Sequence, residues 1–574
     1  MTSQKPVIAR RLKADAAIQS NRLWVASLTL AMTMLFFCGF ALAAPLPFTV
    51  NMSEAVNVDT SGGTPRIAVD VGGVTRYAEY TSGSGSSALT FNYTPQAGDV
   101  DLDGVSLTSP LDLNGGTVTD LNGNAISNLT FTPPNTANVK VNYPSLGMDF
   151  VYDADGRYTL NGTAYNDLSS FLTAAGGSFT RNSIATYYDA AGTLQTASAN
   201  TPRFDHDPVT HLAKGILIEE SRTNYQKNSN FLGIGGGTYT ANQNFSNWSL
   251  QYPAGLTGQS TTITPGASNG IPFLDIRMQA TNSGASTAYI TFAPLTADSM
   301  TVVSGDKTIA SAWFGVTSYS SVGGACGVYV QNRSMTAGGA FLPASPVVSL
   351  SGVSAYQRRV TSSTTHAATA GTAALWSFIS MPAGATCDIT YRIGSPQIEK
   401  GATFETSYIP TGVNVTATRQ ADALSIPTGA WYNSSSGSLM ASSDVIPYDA
   451  SLSGAISIAF FNDGTGNNQW GLRYDTGGTL TASPFWNGGV NQTTLYTPPV
   501  LSATNSTVHA LSLGTRSTVA NGGAVQSGTY SASPTITNLD IGRNLSTAYL
   551  NGWIKKLKYY PARVSDTQLQ LLTQ

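Results

Sequence analysis

Arg66-Ile67-Ala68-Val69-Asp70-Val71 and Ala88-Leu89-Thr90-Phe91-Asn92-Tyr93 each alternate apolar with polar side chains. A strand sends successive side chains to opposite faces, so this period of two sets one row against a core and the other toward water. Gly62-Gly63, Gly72-Gly73 and Gly115-Gly116 punctuate the surrounding stretch, as turns between short strands require. Several short strands spaced by such turns predict a small β-sandwich over residues 45–140.

The rest of the 574-residue chain is in keeping with that reading. Only six glutamates occur, Glu54, Glu79, Glu219, Glu220, Glu399 and Glu405, and other strong helix formers are thin after residue 45. Thr, Val, Tyr, Ile, Asn and Gly dominate instead, a mixture that favours strands and turns. We therefore expect an all-β chain of tandem sandwiches behind an N-terminal hydrophobic helix. Hydrophobic residues make up 41%, enough for several cores and too many for a disordered chain. With 29 Lys+Arg against 32 Asp+Glu the net charge is −3, which excludes a basic nucleic-acid-binding protein. No heptad persists long enough for a coiled-coil stalk, and a homo-oligomer is left open.

Residues 1–22 carry Lys5, Arg10, Arg11, Lys13 and Arg22, and Leu23 to Ala44 then run 22 residues without a charge. The run ends Ala41-Leu42-Ala43-Ala44-Pro45, the small-residue pattern of a cleavage site after Ala43. It is also long enough to span a bilayer of about 30 Å as a helix. Two readings of 1–44 follow, a cleaved signal peptide or a signal anchor holding the chain to a membrane through residues 23–44. In both the remainder is exported, to the cell surface or beyond. Outside that segment only Cys326 and Cys387 remain, 61 positions apart. In an oxidising compartment they form either one bridge, contributing about 3–4 kcal/mol by loop entropy, or two separately buried thiols.

Phe48 to Val56, Asp70-Val71-Gly72-Gly73, Ala97 to Gly104 and Asp120 to Ala125 resemble a bacterial immunoglobulin-like module, which implies a spacer or adhesive unit. Phe179 to Asp189, Gly192 to Ala197, Pro202 to Pro208 and Gly215 to Asn224 resemble a block shared by bacteriophage and prophage tail and fibre proteins. That resemblance implies a connector over 141–230; the residues themselves predict strands, turns and a buried aliphatic strand at 215–218. Residues 231–411 resemble a carbohydrate-binding-like jelly roll, from Phe245-Ser246-Asn247-Trp248-Ser249 to Thr406-Ser407-Tyr408-Ile409-Pro410-Thr411. Residues 412–574 resemble a laminin-G or concanavalin A-like sandwich, on Asp540-Ile541-Gly542-Arg543 and Leu550 to Tyr560. A short terminal helix follows from Ser565, with Gln568 three residues on as in a capping box.

Candidate chemistry is sparse. Asp99, Asp101, Asp103 and Gly104 match the first half of a calcium loop, but position twelve is Pro110 rather than Glu. Either a second segment completes a Ca2+ site, with Asp120 or Asn122 as candidates, or the stretch is an Asp-rich turn. Asp153-Ala154-Asp155-Gly156 reads as a hairpin turn. His206 and His211 lack a third ligand nearby, so a turn through Asp207-Pro208 explains them better than a metal. Sandwich glucanases use closely spaced Glu and Asp, yet residues 412–574 contain no Glu, so a polysaccharide-degrading enzyme is the weakest reading. Sugar binding needs aromatic faces beside amides. Trp248, Tyr252, Trp470, Tyr474, Trp486 and Asn487 sit among Asn, Gln and Gly and are the candidate glycan contacts. Trp313, Trp376 and Trp553 lie in strand-like apolar contexts and are assigned to cores. The expected function is non-enzymatic recognition of a glycan or cell surface by a phage tail-like protein, with an exported bacterial adhesin as the alternative.

Overall fold

The computed structural model describes residues 26–29, 44–151, 157–336, 340–342, 345–367, 369–401, 403–445, 455–475, 481–492, 494–497, 505–512, 515–530 and 532–574. The chain is all-β, and among the described residues the single parallel strand pair joins Ala26–Thr29 to Phe131–Thr132. The described residues fall into two compact units, one of 26–29, 44–95 and 103–140, the other of 96–102 and everything from 141 onward.

In the first unit the sheet runs Ser106–Asp112, Arg66–Val71, Val74–Ser82, Ser86–Tyr93, Leu46–Asp59, Ala26–Thr29, Phe131–Thr132, with Thr117–Asp120 also on Leu46–Asp59. The alternation read from the sequence is realised. Ile67, Val69 and Val71 are buried with Leu89, Phe91 and Tyr93. Val71 pairs with Val74 across Gly72 and Gly73, whose φ values of 60° and 91° are what a two-residue hairpin turn asks of its centre. The Asp70 carboxylate accepts the Gly73 N–H at 2.7 Å and closes the turn.

The expected hydrophobic helix over 23–44 lies mostly outside the described residues. The stretch Ala26–Thr29 that is described is a strand, pairing Ser27 with Asn51. An extended segment there satisfies backbone groups along the edge of Leu46–Asp59. Among the described residues no helix is long and apolar enough to cross a membrane. The turn expected at 153–156 also lies outside the described residues, although the flanking strands pair as a hairpin, Leu146 with Leu160.

The second unit holds two sandwiches. In one, Leu146–Asp149, Tyr158–Leu160, Phe204–His206 and Ala213–Ile218 join a sheet with Ser436–Val445, Asn505–Ser512, Thr515–Ala520 and Gly552–Tyr560. Its second sheet contains Ser178–Thr180, Ala423–Pro427, Ile456–Asn462, Gln469–Tyr474 and Asn538–Ile541. The two share a core in which Tyr158, Phe171, Ile216 and Ile218 pack with Leu424, Phe461, Trp470 and Leu557. Strands of residues 141–230 thus belong to this sandwich: Ile216 pairs with Ile554 in Gly552–Tyr560, and Ile216 and Ile218 lie in the shared core.

A buried ionic cluster fastens the same block. Arg203 reaches Glu219 at 2.8 Å and Asp422 at 2.6 Å; Arg181 reaches Asp422 at 3.0 Å and Arg419 reaches Glu219 at 3.1 Å. All five side chains are fully buried. Burial alone would push the Glu219 carboxyl up, but Arg419, Arg203 and hydrogen bonds from Ser407 outweigh it and hold it at about 2.

The second sandwich spans Gly237–Tyr239 to Thr386–Lys400 and lies in the chain between strands of the first. One sheet runs Gly237–Tyr239, Leu256–Ser268, Ile271–Asn282, Thr386–Lys400, Lys307–Val322, Gln357–Val360. The other runs Gln243–Asn244, Trp248–Gln251, Ala288–Pro294, Thr372–Met381, Gly327–Met335, Val347–Leu350. Leu274, Ile276 and Ile389 from one meet Ile290, Val328, Leu375 and Ile379 from the other. Cys326 and Cys387 are bonded and tie the two sheets. The Cys326→Ser, Cys387→Ser double variant is expected to lose about 4 kcal/mol from this sandwich, given the 61-residue separation. Thermal unfolding with and without reductant checks this: reductant should lower the wild-type transition and leave the variant unmoved.

Two α-helices occur among the described residues. Leu168–Ala175 is capped by the Asp167 carboxylate, which accepts the Ser170 N–H at 2.7 Å, and stops at Gly176. Asp566–Leu572 starts after Ser565 as expected, but without a side-chain cap. Gln568 is buried and accepts the Leu102 N–H at 2.8 Å, and Leu569 and Leu572 are buried beside it.

Candidate functional site

The sheet of Ala288–Pro294, Thr372–Met381, Gly327–Met335 and Val347–Leu350 shows what alternation does when neither face is plain. Inward go Ile290, Phe292, Val328, Val330, Leu375 and Ile379, all buried. The intervening positions turn outward: Tyr289 and Thr291, then Tyr329, Gln331 and Arg333, then Trp376, Phe378 and Ser380. The register brings them together, Tyr329 opposite Phe378, Gln331 opposite Trp376, and Thr291 opposite Phe378 on the other side. With Phe341 and Val347 they line a groove of about 390 Å³.

The groove is aromatic but not sealed. Tyr329 stacks on Phe378 at 4.9 Å between ring centroids, and Tyr289 meets Phe378 edge-on at 5.8 Å. Phe341 stands edge-on to Trp376 at 5.1 Å. Tyr289 is 50% exposed and Phe341 52%. Tyr329 and Trp376 are half-buried, and Phe378 is buried beside Tyr329 and Tyr289; a partly exposed aromatic cluster on an outer sheet face is a candidate binding groove.

Polar groups are set between the rings. The Arg333 guanidinium lies 3.8 Å from the Phe341 ring centroid and donates to Gln331 Oε1 at 2.8 Å. Burial pulls its pKa below the usual guanidinium value, partly offset by Tyr289. Arg333 Nε and Trp376 Nε1 are buried and make no hydrogen bond. Thr291, Gln331 and Ser380 add hydroxyl and amide groups along the same face. Aromatic faces present negative π surface to the C–H side of a sugar ring, and the amide, hydroxyl and guanidinium groups suit its hydroxyls.

The residues expected from sequence are not here. Trp248 is fully buried, stacked on Phe292 at 5.0 Å and 6°, with its indole N–H donated to the Asn228 carbonyl. Trp470 is fully buried and stacked on Phe461 at 4.4 Å, and Tyr474 is buried with its hydroxyl 2.9 Å from Ser443 Oγ. These three are core, corrected from rim contacts: Asn247, Asn467 and Asn468 lie in bends before the strands and Gln469 alternates with Trp470 along its strand, while the aromatic rings fall on inward positions. Tyr252 is half-buried, its hydroxyl bonded to Tyr239 O and Thr261 Oγ1. Trp486 and Asn487 are half-buried on the first sandwich, far along the chain from the groove's strands, and Asn487 donates to Ala532 O at 3.4 Å. Conversely, Trp376 and Trp553, assigned to cores, are half-buried; Trp313 is buried.

Among the described residues no group of three or more His, Cys, Asp or Glu side chains is placed to hold a metal ion. Asp99 and Asp101 are buried, and Asp99 Oδ2 accepts the Gln96 N–H. Asp120 is spent on its own turn, accepting the N–H groups of Asn122 and Asn124 and the Asn124 amide.

No family model matches the chain, and no curated protein matches it. Among solved structures, Trypanosoma rangeli sialidase in complex with sialic acid aligns over 96% of this chain and 99% of that one, at 11% identity and a TM-score of 0.22. The N-terminal CBM22-1–CBM22-2 tandem domain of Paenibacillus barcinonensis Xyn10C aligns over 57% of this chain and 99% of that one, at 10% identity and a TM-score of 0.18. Similarities this low carry no argument about fold or function.

Proposed function

We propose that this chain recognises glycans or a glycan-bearing cell surface without cleaving them, through the outward face of the Ala288–Pro294, Thr372–Met381, Gly327–Met335 and Val347–Leu350 sheet. The observation that carries the reading is the set of outward aromatic side chains, Tyr289, Tyr329, Trp376, Phe378 and Phe341, gathered around one groove with Arg333 and Gln331 between them. An extended sugar chain is matched to such a face: rings stack, hydroxyls meet amide and guanidinium groups, and the open groove sets no end to the chain. Whether the chain serves a phage tail or an exported adhesin turns on the 179–224 resemblance against the 1–44 export segment, and gene neighbourhood separates the two.

The test is a glycan array probed with the purified chain, with a reducing-sugar assay on every glycan bound. Binding to at least one glycan with no release of reducing ends is expected. Release of reducing ends would make the chain a hydrolase, and no binding at all would remove the glycan reading.

A further inference from the structure

A pocket of about 270 Å³ lies elsewhere in the second unit, among Tyr188, Trp313, Arg358, Glu405, Lys214 and Trp553. None of these residues lines the aromatic groove. The pocket is built rather than left over. Asp205 Oδ1 accepts the Tyr188 N–H at 2.7 Å and Oδ2 accepts the Trp553 indole N–H at 2.8 Å, so one carboxylate fixes two of the walls. Lys214 Nζ sits 3.3 Å from the Trp553 ring centroid, covering one face of that indole. Arg358 is held by Ser311 Oγ at 3.1 Å and Thr406 O at 2.6 Å, with its guanidinium 5.1 Å from the Trp313 ring centroid.

One polar group in this frame is unspent, and a second has only its own backbone N–H. The Tyr188 hydroxyl is buried and makes no hydrogen bond. The Glu405 carboxyl takes no hydrogen bond from any other described residue, and burial pushes its pKa up, with Arg358 only partly opposing this. Leaving a buried hydroxyl without a partner costs about 1–3 kcal/mol, which a ligand oxygen would recover. The charges around the pocket nearly cancel: Lys214 and Arg358 stand against Asp205 and Glu405, and Glu219 is answered by Arg203 and Arg419. Such a balance selects neither an anion nor a cation. The volume lies just under the usual range of about 300–1,000 Å³ for ligand sites, so it suits one ring rather than a chain.

We propose that this pocket is a second ligand site that takes a single neutral sugar residue, hydrogen-bonded by Glu405 and the Tyr188 hydroxyl and walled by Trp313 and Trp553. The choice of sugar rests on the glycan reading above; the pocket residues do not. Where the groove holds the middle of a chain, the pocket holds a terminal or free unit.

Saturation-transfer NMR on the full chain, with glucose, galactose, mannose and N-acetylglucosamine each at millimolar concentration, tests this. At least one sugar is expected to receive saturation. Tyr188→Phe and Glu405→Gln should each weaken that contact about tenfold, the worth of one hydrogen bond in a buried site. Tyr188→Phe deletes an atom without a partner, so its melting temperature should equal or exceed wild type, and it decides the matter should Glu405→Gln not fold. No saturation of any sugar, or saturation that survives Tyr188→Phe in full, overturns the proposal. Array binding that persists while the pocket fails would leave the groove reading standing, and the reverse would leave only the pocket.

Discussion

Replacing Arg203 with methionine is expected to lower the melting temperature of the second unit by on the order of 10 °C. Arg203 is fully buried and answers two carboxylates at once, Glu219 at 2.8 Å and Asp422 at 2.6 Å. Removing one member of a buried ionic set costs about 3–5 kcal/mol, because the carboxylates left behind have already given up their water. In a domain of this size each kcal/mol moves the midpoint by about 2–4 °C. Arg419 and Arg181 remain, so the unit should still fold. The pH dependence follows with a definite sign. Glu219 is held at about 2 when folded against an ordinary 4.5, so its contribution is fully present above about 4.5 and is lost as pH falls toward 2. Without Arg203 that acid limb should flatten. Thermal scans of wild type and Arg203→Met from neutral pH down to pH 3 check both parts; a variant that melts like wild type would mean the cluster contributes no net stability.

Trp470→Ala is the second large effect, and it is one of stability rather than binding. The ring is fully buried, stacked on Phe461 at 4.4 Å, in the core shared by both sheets of the first sandwich. Truncating a large buried aromatic leaves a cavity and costs about 3–5 kcal/mol. Urea unfolding followed by intrinsic fluorescence should show the loss, while glycan affinity of the protein that remains folded stays at the wild-type value. A stable Trp470→Ala protein with lost binding would restore Trp470 as a contact residue.

The difference between Trp470 and Trp376 shows what was legible in the sequence. Strand alternation was legible, as in Arg66–Val71, because half-burial writes a period of two directly into the residues. The aliphatic strand at 215–218 was legible for a different reason, a continuous apolar run that a strand buried on both faces carries, although its partner Gly552–Tyr560 lies more than 300 positions away and no local pattern names it. The groove was not legible by neighbours. Asn and Gln beside Trp470 and Trp486 suggested an open rim, but polar neighbours in sequence point to the opposite face of a strand. The available signal was phase: Tyr329-x-Gln331-x-Arg333 and Trp376-x-Phe378-x-Ser380 carry aromatic and polar groups on one phase and Val330, Leu375 and Ile379 on the other. A strand with rings and polar groups on one phase and aliphatics on the other packs its aliphatic phase into a core and turns the rings outward. The helix Leu168–Ala175 is absent from the sequence reading, although Asp167 before it and Gly176 after it are residues that start and stop helices.

The pairing of the 179–224 block with distant strands has a further consequence. Arg181, Arg203 and Glu219 belong to the pieces that resemble phage tail proteins, and here they are spent on holding the sandwich rather than on contacting a partner.

On the proposed reading the groove around Trp376, and not the Trp486 surface, binds glycan. Isothermal titration of the strongest array ligand into wild type, Trp376→Ala and Trp486→Ala decides it. At least a tenfold loss of affinity is expected for Trp376→Ala, about 1.4 kcal/mol or more, with Trp486→Ala equal to wild type and both variants melting as wild type does. Full affinity in Trp376→Ala together with a loss in Trp486→Ala would contradict it.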